Sequence, residues 1–290
     1  MAEKIKQDIH WFPGHMTKAR RMMADSVKLV DAVCEIVDAR IPAASRIPDL
    51  NEVVGNKPRL MILNRVDQAD PAVTALWREC FRKNGMYVLE TDAKSGRGVN
   101  NFPSAVRTVL KEKLEAYAAR GQATRPLRVM IVGVPNVGKS TFINKVARRK
   151  AAIASDRPGV TRGKQWITID NGLELMDTPG ILWPKLGDQA VGEALAWTGA
   201  VKDEIMDRET LAANLLVQLW DTYPESVKAR YRIDGADAEN AYVLLESAAK
   251  NRGFLVSRGE YDLERMAAVL LDEFRGGKLG RISLERPESV

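Results

Sequence analysis

Six apolar runs mark the first part of the chain, each four or five residues long and each closed by small or charged residues: 33–37, 59–63, 86–89, 128–132, 165–169 and 173–176. Helical spacing fills stretches between them, such as 72–84 and 104–119. This alternation predicts an α/β domain with a mostly parallel sheet. The last two runs flank Asp170-Asn171-Gly172, where an Asn-Gly pair closes a tight hairpin. Ligands of such sheets sit beyond the carboxyl ends of the strands, so the residues that close the runs are the ones to read for chemistry.

After Pro184 the pattern changes. Residues 187–275 show helical periodicity and no strand run, with Leu211, Leu215 and Leu219 on one face and Leu263, Met266, Leu270 and Phe274 on another. Asp237 and Asp262 stand where N-caps of the last two long helices belong. The expected division is an α/β domain over 1–185 and a small all-helical domain over 186–290. Gly276-Gly277-Lys278-Leu279-Gly280 and the residues after it read as a basic, flexible tail.

Composition narrows the class. The 290 residues are 45% hydrophobic and 28% charged, ordinary for a globular protein. No apolar run approaches the roughly 20 residues that span a bilayer, and residues 1–9 lack the apolar core of a secretory signal. Cys34 and Cys80 form no metal or disulfide pattern and read as free buried thiols of a reducing compartment, which makes the expected location cytoplasmic. The net charge of +6 allows a polyanionic partner. It equally suits a mildly basic enzyme with solvated lysines; the clusters Lys18, Arg20, Arg21 and Lys145, Arg148, Arg149, Lys150 favour nucleic acid.

The fourth run opens Gly133-Val134-Pro135-Asn136-Val137-Gly138-Lys139-Ser140-Thr141, a phosphate loop between strand and helix. Its glycines let backbone N–H groups face phosphate oxygens, Lys139 reaches the β- and γ-phosphates, and the Ser140 hydroxyl ligates magnesium. Asp177-Thr178-Pro179-Gly180 closes the sixth run, 38 residues after Lys139. Asp177 is expected to hold magnesium through water, and the Gly180 N–H to bond the γ-phosphate. Between them Pro158-Gly159-Val160-Thr161 offers a switch threonine, Thr161, for magnesium and γ-phosphate. Asn64-Arg65-Val66-Asp67 closes the second run and reads the base: a carboxylate at Asp67 accepts from guanine N1 and N2, a donor pair that adenine lacks. Arg65 stands where the usual motif has Lys, and a guanidinium can stack in its place. Asp92-Ala93-Lys94 closes the third run and is similar to the Ser-Ala-Lys element, whose backbone N–H reads guanine O6, with Asp92 in the place of serine.

All the elements of a GTP site are therefore present, but the guanine element precedes the phosphate loop. The simplest account is a circularly permuted P-loop GTPase domain. Together with this order, Trp11-Phe12-Pro13-Gly14-His15-Met16-x-Lys18-Ala19-x-Arg21, Asp38-Ala39-Arg40-Ile41-Pro42, Asp156-Arg157-Pro158-Gly159 and Asp177-Thr178-Pro179-Gly180-Ile181-Leu182-Trp183-Pro184 resemble the circularly permuted GTPases of the YlqF/RbgA type, the ribosome biogenesis GTPase A family. The resemblance runs along essentially the whole chain. It implies GTP and GDP as ligands and an enzyme that binds an immature large ribosomal subunit and promotes its late maturation. It also implies a helical domain that contacts rRNA, and gives no role to DNA or to a membrane. The permutation sends the segment after Asp177 and Gly180 through 181–184 straight into that domain, so loss of the γ-phosphate would pull on it directly.

Catalysis poses a question. Ras-type enzymes orient water with a Gln after the switch glycine, and here that position is Ile181. Asn136 sits where cation-stimulated GTPases place a potassium ligand in the phosphate loop. In the resembled family the histidine matching His15 reaches the γ-phosphate once the ribosome organises it; a capping or packing role is the plain alternative. Trp11 and Phe12 suit stacking on rRNA bases and packing against the GTPase domain equally well. Two rival functions compete with this reading: a small-molecule P-loop kinase, which would lack the Asp67 element and the switch threonine, and a GTP-dependent binding switch acting on some other RNA.

Overall fold

The computed structural model describes residues 4–5, 16–148, 165–170, 172–178, 189–201, 207–234, 240–256 and 259–287. Two compact units emerge: residues 12–184 with 285–290, and residues 1–11 with 185–284. The body of the chain divides at Lys185, and each unit also takes in one chain end from beyond that division.

In the first unit β1 (Ala32–Asp38), β2 (Arg59–Asn64), β3 (Tyr87–Thr91), β4 (Leu127–Val132), β5 (Gln165–Asp170) and β6 (Leu173–Asp177) form one sheet in the order β3-β2-β1-β4-β6-β5. All pairings are parallel except β5 with β6, which form the expected hairpin, with Gly172 at φ +90°. β1 is buried along its whole length, as a strand covered on both faces must be, and this is why its sequence is a nearly unbroken apolar run. The exception is Glu35. Its Oε1 accepts from the Ile47 N–H at 2.8 Å and so seats the segment that follows β1.

One face of the sheet carries two apolar clusters. Met23, Val27, Leu50 and Val54, from α1 (Met16–Val27) and α2 (Leu50–Val54), pack on Val33, Met130, Val132 and Met176. Val73, Trp77 and Phe81, from α3 (Pro71–Lys83), pack on Val37, Met61, Leu63 and Val88. α3 is well specified: Asp70 caps its first N–H groups, Pro71 opens it, and Val73, Trp77 and Phe81 recur every fourth residue to form the buried stripe. The predicted helix over 104–119 is two helices, α4 (Phe102–Val109) and α5 (Lys111–Ala119). Leu110, buried, takes φ −104° and ψ 19° between them, while Leu110 N still donates to Val106 O and Leu114 N to Leu110 O. The hydrogen-bond ladder thus continues through a bend. α6 (Lys139–Arg148) follows the phosphate loop. Cys34 and Cys80 are free; Cys34 is fully buried, whereas Cys80 is only half-buried.

The second unit contains α7 (Gln189–Trp197), α8 (Arg208–Thr222), α9 (Pro224–Tyr231), α10 (Ala241–Asn251) and α11 (Leu263–Arg275). α8 is its axis and touches each of the other four. Leu211, Ala212, Ala213, Leu215, Leu216 and Leu219 are all completely buried there, the composition of a helix covered on every side. Asp262 caps α11 by accepting from Arg265 N, as predicted. The other cap differs: Asn240 caps α10, accepting from Val243 N at 3.0 Å, and Asp237 lies outside the described residues. Leu255 and Tyr261 form one antiparallel bridge in a region expected to be purely helical. Asn214, completely buried, binds the Ile5 backbone twice, accepting from its N–H at 2.9 Å and donating to its carbonyl at 2.8 Å.

The C-terminal stretch is not the flexible tail its glycines suggest. Leu279, Ile282 and Ser283 are buried, and Ser283 exchanges backbone bonds with the Tyr223 hydroxyl. Beyond it, Glu285 belongs to the sheet unit. Its carboxylate accepts from Ala43 N at 2.7 Å and Ala44 N at 3.1 Å, and its carbonyl accepts from the Trp77 indole at 3.1 Å. Among the described residues no helix is long and apolar enough to cross a membrane.

Candidate nucleotide site

Parallel register sets the geometry of the site. Asp38 pairs with Asn64 and Asn64 with Thr91, so the last residues of β1, β2 and β3 form a row at the carboxyl edge of the sheet. β4 lies next to β1 and delivers the phosphate loop to the same edge. The permuted order thus leaves the site's parts adjacent, because adjacency is decided by the sheet and not by the sequence.

The loop glycines are required by contact. A Cβ on Gly133 would lie 2.7 Å from Ile36 O. Gly138 has φ +94°, and a Cβ there would collide with Asn64 Nδ2. That amide is close for a reason. Asn64, 2% exposed, donates to Val137 O at 2.8 Å, while its Oδ1 accepts from the Thr91 hydroxyl and the Ala93 N–H, both at 3.0 Å. One side chain therefore joins the guanine element, the phosphate loop and the end of β3.

Arg65 adds a second tie. It takes φ +63°, unusual for a residue with a Cβ, and its Nη2 donates to Asn136 O at 2.7 Å. Asn136, also left-handed at φ +60°, is exposed. Burial lowers the Arg65 pKa, with Asp38 opposing that trend and Arg40 adding to it. Val66 N donates to Thr91 O at 3.3 Å and Gln68 N to Arg65 O at 2.9 Å, which folds 65–68 into a turn from which Asp67 stands exposed. Asp92 builds the neighbouring turn. Its Oδ1 accepts from Lys94 N at 2.9 Å and Ser95 N at 3.1 Å. Partial burial raises its carboxyl, but these bonds and Arg97 outweigh that and hold it below the ordinary range. The serine-to-aspartate change is thus a turn-forming one. Within this element, whose backbone N–H is expected to read guanine O6, the Ala93 N–H donates to Asn64.

On the phosphate side Lys139, 8% exposed, places Nζ 2.5 Å from Asp177 Oδ1 and also donates to Thr178 O. The Thr178 hydroxyl donates to Ile131 O at 2.7 Å and fixes the end of β6 on β4. Ser140 and Thr141 stand exposed in the first turn of α6, directly after Lys139. Ser140, directly after Lys139, and Asp177, ion-paired with Lys139, carry hard oxygen donors of the kind that fits magnesium, which GTPases of this kind use. No three His, Cys, Asp or Glu side chains converge among the described residues. His15, Thr161 and Gly180 lie outside the described residues.

Sequence reading missed the role of Asp38 and Arg40. Arg40, 1% exposed, meets the Asp38 carboxylate through Nη2 at 2.8 Å and Nε at 3.0 Å. Burial raises the Asp38 carboxyl, yet Arg40 and Arg65 together hold it below the usual aspartate value. The available signal was two opposite charges ending an apolar strand, where charge is costly unless paired.

A phosphate loop after β4 of a mostly parallel sheet, tied to a guanine element at the end of β2 with β1 lying between the two strands, defines a P-loop GTPase domain in circularly permuted order. The family model described as 50S ribosome-binding GTPase matches residues 128–251. It begins at β4, which leaves β1 to β3 and the Asn64–Asp67 element upstream of it. The chain is 45% identical over 283 residues to ribosome biogenesis GTPase A of Priestia megaterium, covering 97% of this chain and 98% of that one. It is 32% identical to mitochondrial ribosome-associated GTPase 1 of Mus musculus, over 95% of this chain and 90% of that one. The crystal structure of GNP-bound YlqF from T. maritima superposes with a TM-score of 0.65 at 30% identity, over 94% of this chain and 100% of that chain. The chain belongs to the ribosome biogenesis GTPase A family and is a GTPase.

Proposed function

We propose that this GTPase acts in ribosome assembly by binding an immature large ribosomal subunit and promoting its late maturation in the cytoplasm, with the helical unit contacting rRNA. The observation that carries the site reading is the convergence of Asn64 and Arg65 on the Val137 and Asn136 carbonyls, which makes base recognition and phosphate binding one rigid object. In this reading Asp67 accepts from guanine N1 and N2, and the loop N–H groups of 136–141 hold the phosphates. Lys139 exchanges Asp177 for β- and γ-phosphate oxygens, which frees that carboxylate for the magnesium side. Ser140 and Asp177, with Thr161, would hold magnesium, whose chemistry is to neutralise charge on the phosphate oxygens.

His15 is the residue that would orient water, since Ile181 carries no polar group, and Asn136 would hold a potassium ion supplying part of the charge of an arginine finger. The isolated protein then turns over slowly: Ras alone runs at roughly 10⁻⁴ s⁻¹ and gains about 10⁵-fold when the missing group is supplied. The deciding experiment is co-sedimentation with large-subunit precursor particles in a non-hydrolysable GTP analogue, together with hydrolysis rates with and without particles and in potassium or sodium. Binding in the analogue and particle-stimulated hydrolysis are expected. Fast hydrolysis unaffected by particles, or binding to unrelated RNA alone, would overturn the reading.

A further inference from the structure

We infer that Asp38 is a positioning residue for base selection: buried against Arg40, it holds the Arg65 guanidinium between the guanine element and the phosphate loop. The inference rests on the nucleotide-site reading above and deepens it. Asp38 is 2% exposed at the end of β1, in register with Asn64. Its Oδ1 accepts from Arg40 N and Nε, both at 3.0 Å, and its Oδ2 accepts from Arg40 Nη2 at 2.8 Å. Arg65 Nε lies 3.7 Å from the same Oδ2. The Asp38 N–H is taken by Ser45 Oγ at 3.0 Å, so neither the residue nor its carboxylate has room to swing.

A buried pair of one Asp and one Arg is neutral as a unit and gives little net stability. Its value lies in fixed direction. Arg65 brings a second cation to the same carboxylate oxygen, its Nε 3.7 Å away, which with the Asn136 bond orients the guanidinium plane. In that plane Nη2 reaches Asn136 O at 2.7 Å. A lysine ammonium is a point charge without a fork and cannot face Asp38 with one nitrogen and the loop carbonyl with another. The Arg in the guanine element of this chain therefore matches the buried carboxylate on the neighbouring strand. Because Asp67 follows Arg65 by two residues in the same turn, tilting Arg65 moves the base-reading carboxylate.

The test is nucleotide release from the full chain, with fluorescent GTP and with its inosine counterpart, which lacks the 2-amino group. Wild type, Asp38→Asn, Arg65→Gln and the double variant are compared, with melting temperatures recorded alongside. Each single variant should release GTP about tenfold faster, the cost of roughly one hydrogen bond to a charged group. Each should also lose part of the preference for GTP over the inosine nucleotide. The double variant should be no faster than Arg65→Gln alone. Effects that multiply in the double variant, or an Asp38→Asn protein that melts early yet keeps wild-type release and base preference, would overturn the inference. If Asp38→Asn does not fold, Arg65→Gln decides: its side chain is partly exposed and its removal leaves the buried pair intact, so wild-type release and preference in that variant overturn the inference. Asp67→Asn separates the two levels. Unchanged GTP binding there defeats the site reading itself, whereas weakened binding there with no effect at Asp38 or Arg65 defeats only the positioning role.

Discussion

The ties made by Asn64 on the base side and by Lys139 on the phosphate side of the site are held by different forces. On the base side Asn64 serves three motifs through neutral hydrogen bonds of 2.8–3.0 Å, all of them buried. On the phosphate side Lys139 and Asp177 are held by charge, in a partly solvated ion pair. Neutral bonds to backbone have nowhere better to go when a ligand arrives. An ion pair at a mouth can trade partners with an incoming polyanion at little cost. The difference separates a fixed reader from an exchangeable clamp.

The largest effect should come from Asp67. Asp67→Asn should weaken GTP binding by about 10²–10⁴-fold, since two hydrogen bonds to a charged group are lost at roughly 1.5–3 kcal/mol each. Xanthine nucleotides, whose donor and acceptor pattern is reversed, should gain; calorimetry with both nucleotides measures the exchange. Next, Lys139→Ala should cut hydrolysis by roughly 10²–10³-fold, the scale for one electrostatic donor at a transition state. Because the clamp is exchangeable, urea unfolding of the nucleotide-free variant should barely shift. A large loss of stability there would erase the contrast between the two sides.

Asn64→Ala should do the reverse. It leaves the Thr91 hydroxyl, the Ala93 N–H and the Val137 carbonyl without their partner, at about 1–3 kcal/mol for a buried group left unpaired. A stability loss of at least about 3 kcal/mol by urea unfolding is expected even without nucleotide.

The smallest effect concerns Glu285. Burial pushes its carboxyl up to about 7, the Ala43 and Ala44 N–H groups oppose this, and the Asp38 charge adds to it. Its ordinary value is 4.5, so the folded chain binds the proton more tightly. The stabilisation this proton brings is complete below pH 4.5 and is lost as the pH rises through about 7. Glu285→Gln should flatten the fall in melting temperature across that window. An unchanged slope would show that this carboxyl does not titrate there.

Much of this was legible in sequence, for physical reasons that can be named. Buried parallel strands must be apolar throughout, so 33–37, 59–63 and 128–132 pointed to β1, β2 and β4 within a residue at each end. The motifs closing them sit at strand ends, which is why the row of Asp38, Asn64 and Thr91 falls where ligands bind. Local competition was harder to read. Asp237 and Asn240 are both good caps, and Asn240 prevails because Ala241, Leu244, Leu245 and Ala248 begin the buried stripe directly after it. Long-range contacts were invisible. Nothing near Glu285 hints at Ala43, 242 residues away, and the glycines before it read as flexibility when Gly277 at φ +71° and Gly280 at φ +100° are shaping a defined path.

That path has a consequence for how the molecule is made. β1, β2 and β3 follow one another in sequence and lie side by side, so this half of the sheet can pair while synthesis continues. β4 then has to come back over a separation of 97 residues, the distance in sequence between Asp31 and Arg128, to dock beside β1 and complete the site. The bonds of Glu285 form later still. Their donors, Ala43 and Ala44, are made early, but Glu285 is reached only after every helix of the second unit has been synthesised. A nascent chain can therefore hold a finished nucleotide pocket while the loop behind Asp38 is still unlatched. The latch on Ala43 and Ala44 is thus a carboxylate that follows the whole second unit in sequence.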